Sequence, residues 1–256
     1  MSANKPLILI TNDDGITAKG INCLIDAVRT LGEILVVAPD GPRSGMSGSF
    51  TFTKPITCKL LRKEPGLTMY ASSGTPVDCV KLAYHEISKG HKLDILISGI
   101  NHGINSACCI FYSATVGAMF EGTLADIPSL AVSLCSNDPD ADFTQSCSYA
   151  LNVAGKILEE GIPKGVGLNL NIPDTPHVKG LKICSQTDTK WIKEVEKRTS
   201  ENGSTEYWLT GELFDNEPQN NQTDIWAFQN NYAALVPLKL NMTDYLLMKK
   251  MKNWEF

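Results

Sequence analysis

The sequence predicts an α/β fold, with a Rossmann-like, three-layer core around a parallel sheet and a small C-terminal extension made of a β-hairpin and a helix. Residues 7–10, 33–39 and 94–98 form three almost uniformly apolar segments. Strands without polar alternation are buried on both faces, which is typical of a parallel sheet covered by helices. Between the first two segments, apolar residues recur at helical spacing over residues 21–31. The chain therefore begins with a β-α-β unit, whose crossover is expected to be right-handed.

The alternation of helix and strand continues to about residue 174. The predicted helices cover residues 77–88, 113–124 and 143–160, and the predicted strands cover residues 128–134 and 166–172. With 256 residues, the chain is long enough for one large domain with a single core. We therefore expect residues 1–256 to form one domain.

The C-terminal part, from about residue 174 to 256, is less regular. Short alternating strands are predicted at residues 181–185 and 206–210, and a polar loop at 211–223. Residues 224–229 and 232–238 are typical of an antiparallel hairpin around Asn230-Asn231, and residues 243–252 are typical of a closing helix capped by Asn241 or Thr243. This part is consistent with a small lobe or with an arm that packs on a neighbouring subunit.

Composition argues against two classes of partner. The formal net charge is −5, so the chain has no general attraction for nucleic acid polymers or for anionic membrane surfaces. No stretch approaches the roughly 18 apolar residues that a membrane helix needs, and the N-terminal apolar run is too short for the core of a signal peptide. The eight cysteines are scattered and form no Cys-x-x-Cys pair. We therefore expect a cytoplasmic protein with reduced cysteines.

Asn12-Asp13-Asp14-Gly15 directly follows the first buried strand. Adjacent carboxylates repel each other, and one of them tends to take up a proton unless a cation separates them. Mg²⁺ and Mn²⁺ prefer such oxygen ligands, and Gly15 allows a sharp turn. The pattern therefore indicates one half of a divalent-metal site. The alternative interpretation is that one aspartate caps the next helix while the other is solvated.

Further polar segments are expected to converge on these aspartates, because ligands of an open parallel sheet bind beyond the carboxyl ends of its strands. Ser44 and Gly45 offer hydroxyl and N–H groups to a phosphate or a metal, or else belong to an ordinary flexible loop. Asn101 offers an amide oxygen to a cation, or else adopts a left-handed turn. Ser113 and Thr115, at the start of a helix, suit a phosphate, although Ser113 is equally well explained as a plain N-cap.

Taken together, these motifs resemble the SurE family of survival-protein 5′-nucleotidases. The matching segments are residues 10–15, 37–40 with 43–45, 74–79, 98–101, 112–116 with 121–122, 169–173, 223–224 and 237–238. Any one of these segments is weakly specific, whereas the ordered set is highly specific and spans the chain from about residue 8 to about residue 238.

The resemblance implies a metal-dependent phosphomonoesterase that hydrolyses nucleoside 5′-monophosphates to nucleoside and phosphate. It implies one divalent cation per subunit, Mg²⁺ or Mn²⁺, held by Asp13, Asp14, Ser44 and Asn101. Asn12 would act with the two aspartates in catalysis. The phosphate would contact Ser44, Gly45, Asn101, Ser113 and Thr115. The resemblance also implies a homodimer or homotetramer in which the region after residue 174 is the oligomerisation arm.

Some residues depart from the family pattern. The chain has Ala114 where members commonly have glycine, Cys108-Cys109 where they often have acidic residues, and His102 where they often have a small residue. These departures bear on substrate preference more than on the metal site.

The sequence disfavours two other functions and leaves a third open. A phosphotransferase with an aspartyl nucleophile, of the haloacid-dehalogenase type, would carry Asp-x-Asp rather than Asp-Asp-Gly. A Rossmann dinucleotide binder would carry Gly-x-Gly-x-x-Gly in the first turn, which this chain lacks. The remaining alternative is a nucleotide- or metal-binding regulatory protein without turnover.

Overall fold

The computed structural model describes residues 5–255, which form thirteen strands and six α-helices. The strands are β1 Leu7–Thr11, β2 Glu33–Pro39, β3 Cys58–Glu64, β4 Leu67–Ser72, β5 Ile95–His102, β6 Ser129–Cys135, β7 Val166–Pro173, β8 Leu181–Ile183, β9 Thr189–Ile192, β10 Val195–Thr199, β11 Thr205–Leu209, β12 Glu212–Asp215 and β13 Ala233–Lys239. The helices are α1 Lys19–Val28, α2 Pro76–Leu82, α3 Ala114–Leu124, α4 Thr144–Glu160, α5 Asp224–Gln229 and α6 Tyr245–Met251. A π-helical turn, Ala83–Ile87, extends α2, and a 3-10 helix, Ala107–Phe111, precedes α3.

Nine of these strands form one sheet in the order β3-β4-β2-β1-β5-β6-β7-β13-β8. The six consecutive strands from β4 to β7 pair in parallel. The two flanking strands β3 and β13 pair antiparallel with their neighbours β4 and β7. From β1 the chain moves outward to β2 on one side and to β5 on the other, so the strand order reverses between β1 and β5. Such a reversal opens a crevice at the carboxyl ends of the strands.

Helices cover both faces of the sheet. In β1, Ile8 and Ile10 pack in a core that includes residues of α1 and α4, whereas Leu9 packs with residues of α2 and α3. The continuous apolar run of this strand thus reflects burial on two sides. The predicted three-layer α/β core is confirmed. No helix in residues 5–255 has the length and apolar character needed to cross a membrane.

The hairpin predicted over residues 224–229 and 232–238 is wrong. The first segment is α5, capped by Thr223, and the second forms most of β13, which inserts between β7 and β8. The buried carboxylate of Asp224 accepts hydrogen bonds from the N–H groups of Ala107 and Thr187. These partners are far away in sequence, and local alternation carries no information about them. A hairpin does form in the C-terminal part, between β10 and β11.

Some other boundaries differ from the prediction. Helix α1 begins two residues before the predicted segment 21–31 and ends three residues before its end. Part of the polar segment 211–223 is β12, which pairs with β9. Helix α6 is capped by Asp244 rather than by Asn241 or Thr243. The Asp244 carboxylate accepts from two N–H groups of the first turn, whereas Asn241 accepts from the N–H of Thr243, before the helix begins.

Candidate functional site

The loops after β1 and β5 leave the sheet side by side, at the reversal of strand order. Asn12 and Asp13 follow β1 directly and are buried, and Asp14 is half-buried. Asn101 is buried near the end of β5, just after a one-residue bulge in the pairing with β6. The sheet thus brings Asp13, Asp14 and Asn101 to one edge.

The loop after β2 is held against the loop after β1 by backbone contacts. Gly15 has φ +100°, and a Cβ atom there would lie 3.1 Å from the backbone of Gly41. The N–H of Arg43 donates to the carbonyl oxygen of Asp13 at 2.7 Å. Glycine at position 15 permits both the turn and the close approach. Ser44 directly follows Arg43, so its position in the chain is next to a backbone bond to the loop that carries the aspartates.

Asp13 is the most constrained carboxylate of the site. The hydroxyl of Thr115, in the first turn of α3, donates to its Oδ1 at 2.6 Å. Burial raises the pKa of Asp13 to about 6; the bond from Thr115 lowers this pKa in part, and the charge of Asp14 adds to it. Helix α3 is therefore joined to the end of β1 by a short bond to a charged group.

Asp14 and Asn101 are oriented by the loop after β5. The N–H of His102 donates to Oδ2 of Asp14 at 3.2 Å. Burial raises the pKa of Asp14, and the bond and charge of His102 oppose that shift. The side-chain amide of Asn101 donates to the carbonyl of Gly103 at 2.9 Å. The amide Oδ1 is then the atom that Asn101 offers to a ligand.

The exposed residues Ser44 and Gly45 lie between two anchored points of their loop. One anchor is the hydrogen bond from the N–H of Arg43 to the carbonyl oxygen of Asp13. The other is Ser47, whose hydroxyl donates to the carbonyl of Phe111 at 2.8 Å and whose N–H donates to the carbonyl of Tyr112 at 3.2 Å. The loop therefore connects the aspartates with the start of α3 and is more constrained than the flexible loop considered from the sequence.

Ser113 is the N-cap of α3, and its hydroxyl accepts from the N–H of Val116 at 3.1 Å. The simple capping role considered from the sequence is therefore present. The N–H groups of Ala114 and Thr115 have no acceptor in the described part of the chain. Together with the positive end of the helix dipole, these donors can receive an anion.

Two observations fit a bound cation at this edge. The pKa values of Asp13 and Asp14 are both raised, and a nearby positive charge would relieve the cost of ionising them together. Asn12 donates to the carbonyl of Gly15 at 2.9 Å, and its buried Oδ1 has no hydrogen-bond partner in residues 5–255. No group of three His, Cys, Asp or Glu side chains in that range could hold a metal ion. A cation here therefore needs neutral oxygens beside the two carboxylates.

Residues 8–193 match the family described as Survival protein SurE. The chain belongs to the SurE family. A protein named 5′-nucleotidase SurE, from Phocaeicola vulgatus, is 46% identical over 254 residues, which cover 99% of this chain and 98% of that protein. A protein of the same name from Cytophaga hutchinsonii is 40% identical, with coverage of 99% and 98%.

A solved structure supports the same family. The crystal structure of the SurE protein from Aquifex aeolicus matches this chain with a TM-score of 0.84 at 36% identity, covering 96% of this chain and 98% of that one. The family inferred from the ordered SurE-like motifs is thereby confirmed, together with the fold that it implied.

The sequence motifs did not single out Asn105, which lies beside them in the structure. Asn105 is buried behind Thr115 and donates to its hydroxyl at 3.4 Å. Asn169 and Asn171 of β7, which belong to a family-like segment without an assigned role, both donate to the carbonyl of Asn105. The available signal was the pair of asparagines at alternate positions of an otherwise apolar strand, since buried amides require partners.

Proposed function

We propose that this chain is a metal-dependent 5′-nucleotidase, which hydrolyses nucleoside 5′-monophosphates to nucleoside and phosphate. The observation that carries the proposal is the adjacent pair Asp13 and Asp14 at the reversal of strand order, with Thr115 of α3 bonded to the first of them. Relatives named 5′-nucleotidase SurE that are 46% and 40% identical over almost the whole chain support this substrate class.

The proposed cation ligands are Asp13, Asp14, Ser44 and Asn101, with one Mg²⁺ or Mn²⁺ per subunit. All four offer oxygen, the ligand that these hard cations prefer. When bound, the cation supplies positive charge to a phosphate oxygen and lowers the pKa of a water molecule.

The remaining residues bind and orient the substrate. Ser44, Gly45 and Asn101 line the phosphate on one side, and Ser113 and Thr115, at the start of α3, line it on the other. In this proposal, the N–H groups of that first turn would donate to the equatorial oxygens, on which negative charge accumulates during in-line attack. Either Asp13 or Asp14 orients the attacking water and accepts its proton. The Oδ1 of Asn12, which has no hydrogen-bond partner within residues 5–255, helps to hold that water.

Steady-state release of phosphate from a panel of nucleoside 5′-monophosphates, with Mg²⁺ and with Mn²⁺, tests the proposal. We expect turnover that depends on the cation and is abolished in Asp13→Asn. Full activity of Asp13→Asn would refute the assignment of this site. Binding of a nucleotide without phosphate release under every cation would instead identify a regulatory protein.

We also propose that the C-terminal part, residues 174–256, is the oligomerisation arm of a homodimer or homotetramer. Every residue of β10 and β11 is exposed, including Trp208 and Leu209. Helix α6 buries none of its residues, and Leu246 is 78% exposed. Contiguous exposed apolar side chains are characteristic of interaction surfaces.

The cytoplasmic location stays a prediction. The net charge of −5 keeps nucleic acid polymers and anionic membranes out of the proposed set of partners.

A further inference from the structure

Asn105 lies at the centre of a buried polar network directly behind the proposed metal site. It is 7% exposed and follows β5 in the loop that leads to the 3-10 helix. Its side-chain Nδ2 donates to the hydroxyl of Ser133 at 2.9 Å and to the hydroxyl of Thr115 at 3.4 Å. Both protons of this amide are therefore directed to hydroxyl groups.

Strand β7 holds the backbone of Asn105 in place. The N–H of Asn105 donates to Oδ1 of Asn171 at 2.9 Å, which identifies the oxygen of that amide. The carbonyl of Asn105 accepts from Nδ2 of Asn169 at 2.8 Å and from Nδ2 of Asn171 at 3.3 Å. The two β7 asparagines thus keep the loop, and with it the Asn105 side chain, in one position.

The direction of the hydrogen bond between Thr115 and Asp13 follows from the number of protons that each group carries. A hydroxyl group has one proton and two lone pairs. Because Asn105 can only donate through Nδ2, the Thr115 oxygen accepts from it and keeps its single proton for another partner. That partner is Oδ1 of Asp13, 2.6 Å away. The chain of donors therefore runs from Asn105 through Thr115 to Asp13.

We propose that Asn105 is a positioning residue for the metal site: by donating to the Thr115 hydroxyl, it directs that proton to Oδ1 of Asp13 and leaves Oδ2 to the cation. The inference rests on the proposed function and deepens it. Asn105 itself touches neither substrate nor cation and acts through Thr115. The bond to Thr115 is long, so its loss should weaken cation binding and not abolish it.

Binding of Mn²⁺ to the full chain tests this role without turnover. It is measured by the decrease in the electron paramagnetic resonance signal of the free ion. In the variant Asn105→Leu, the leucine side chain is similar in size to asparagine and has no hydrogen-bond donor. We expect it to raise the dissociation constant for Mn²⁺ roughly threefold to tenfold, the range of one modest hydrogen bond. In a Thr115→Val background, Asn105→Leu should change that constant by less than about twofold, because the group through which it acts is gone.

Ser133→Ala is the matched control. It removes the other acceptor of the Asn105 amide in the same buried network but leaves the Thr115 bond, so the dissociation constant should stay within about twofold of that of the unaltered chain. Circular dichroism and the midpoint of thermal unfolding show whether each variant is folded. If Asn105→Leu is not recovered in folded form, Asn105→Ala takes its place in both backgrounds with the same expected pattern.

Two results would overturn the positioning role. One is an unchanged dissociation constant in Asn105→Leu. The other is the same increase in both the unaltered and the Thr115→Val backgrounds, which would indicate a general packing effect. A failure of the proposed metal site would give a different result. The unaltered chain would then bind no Mn²⁺ at all, or the unaltered chain and Asp13→Asn would bind Mn²⁺ with the same affinity.

Discussion

The hydroxyl of Thr115 donates a 2.6 Å hydrogen bond to Oδ1 of Asp13, across 102 positions of sequence. This bond joins the first turn of α3, where phosphate is proposed to bind, to the carboxylate proposed to hold the cation. Burial raises the pKa of Asp13, and the same bond is the largest effect that lowers it. The two proposed halves of the site are therefore energetically coupled.

Thr115→Val should reduce kcat/KM for a nucleoside 5′-monophosphate by about tenfold or more, because a hydrogen bond to a charged group contributes about 1.5–3 kcal/mol. The cation concentration that gives half-maximal activity should rise as well. Thr115→Ser keeps the hydroxyl and serves as the control, with activity within a few-fold of the unaltered chain. Equal activity of the valine and serine variants would show that the bond to Asp13 plays no part.

The stability of the cation-free protein should fall as pH rises through the interval between 3.8 and about 6, the unfolded and folded pKa values of Asp13. The folded state holds this proton more tightly than the unfolded chain, so ionisation at higher pH disfavours folding. The full effect is about 2–3 kcal/mol.

Urea unfolding of chelator-treated protein at pH 4.5 and pH 8 measures this loss. Asp13→Asn cannot ionise, so it should be more stable than the unaltered chain at pH 8 and should show a smaller difference between the two pH values. A steeper pH dependence in Asp13→Asn would contradict the raised pKa.

Removal of the divalent cation with a chelator should abolish phosphate release while leaving the circular dichroism spectrum unchanged, since the sheet that carries the site is built from apolar strands. Asp14→Asn should lose at least about tenfold in activity when cation is present. Asp40→Asn is a matched control: Asp40 lies in the neighbouring loop, but its carboxylate is bonded to Arg43 and is not a proposed ligand. Equal losses in the two variants would argue against a specific metal site.

A chain that ends at residue 240 lacks α6 and should form smaller assemblies than the full chain, measured by light scattering coupled to size-exclusion chromatography. The reason is that α6 exposes apolar side chains that its own chain does not cover. Leu246→Glu tests the same surface by one substitution, and Lys249→Glu, in the same helix, controls for added negative charge. An unchanged molar mass in both the truncated chain and Leu246→Glu would exclude α6 from the arm.

The sequence was sufficient for the parts of the fold that follow from local periodicity. The uniformly apolar strands indicated the parallel core, and loops at strand ends indicated where Asp13, Asp14 and Asn101 would meet. The structure has a reversal of strand order between β1 and β5, and the loops that carry these residues lie at that point. Periodicity reports the faces that a segment buries, and burial on both faces is a strong signal.

Other features depended on partners distant in sequence. The segment after Thr223 forms a helix because Asp224 is bound by groups 117 and 37 residues away. The role of Asn105 depends on Thr115 in one element and on Asn169 and Asn171 in another. The raised pKa of Asp13 arises from burial that only the assembled loops create. A one-dimensional pattern contains none of these pairings.

The insertion of β13 between β7 and β8 has a consequence for anyone who wants to divide this protein. A fragment that ends before residue 224 would expose the edge of β7 that pairs with β13. It would also lose the Asp224 carboxylate that accepts from the Ala107 N–H, and so weaken the support of the nearby loop that carries Asn105. The proposed catalytic site and the proposed oligomerisation arm therefore share structural support and are not separable by cutting the chain. A redesign that tests the proposed arm should therefore replace exposed apolar side chains of the β10–β11 hairpin and α6, and should leave the polypeptide between them intact.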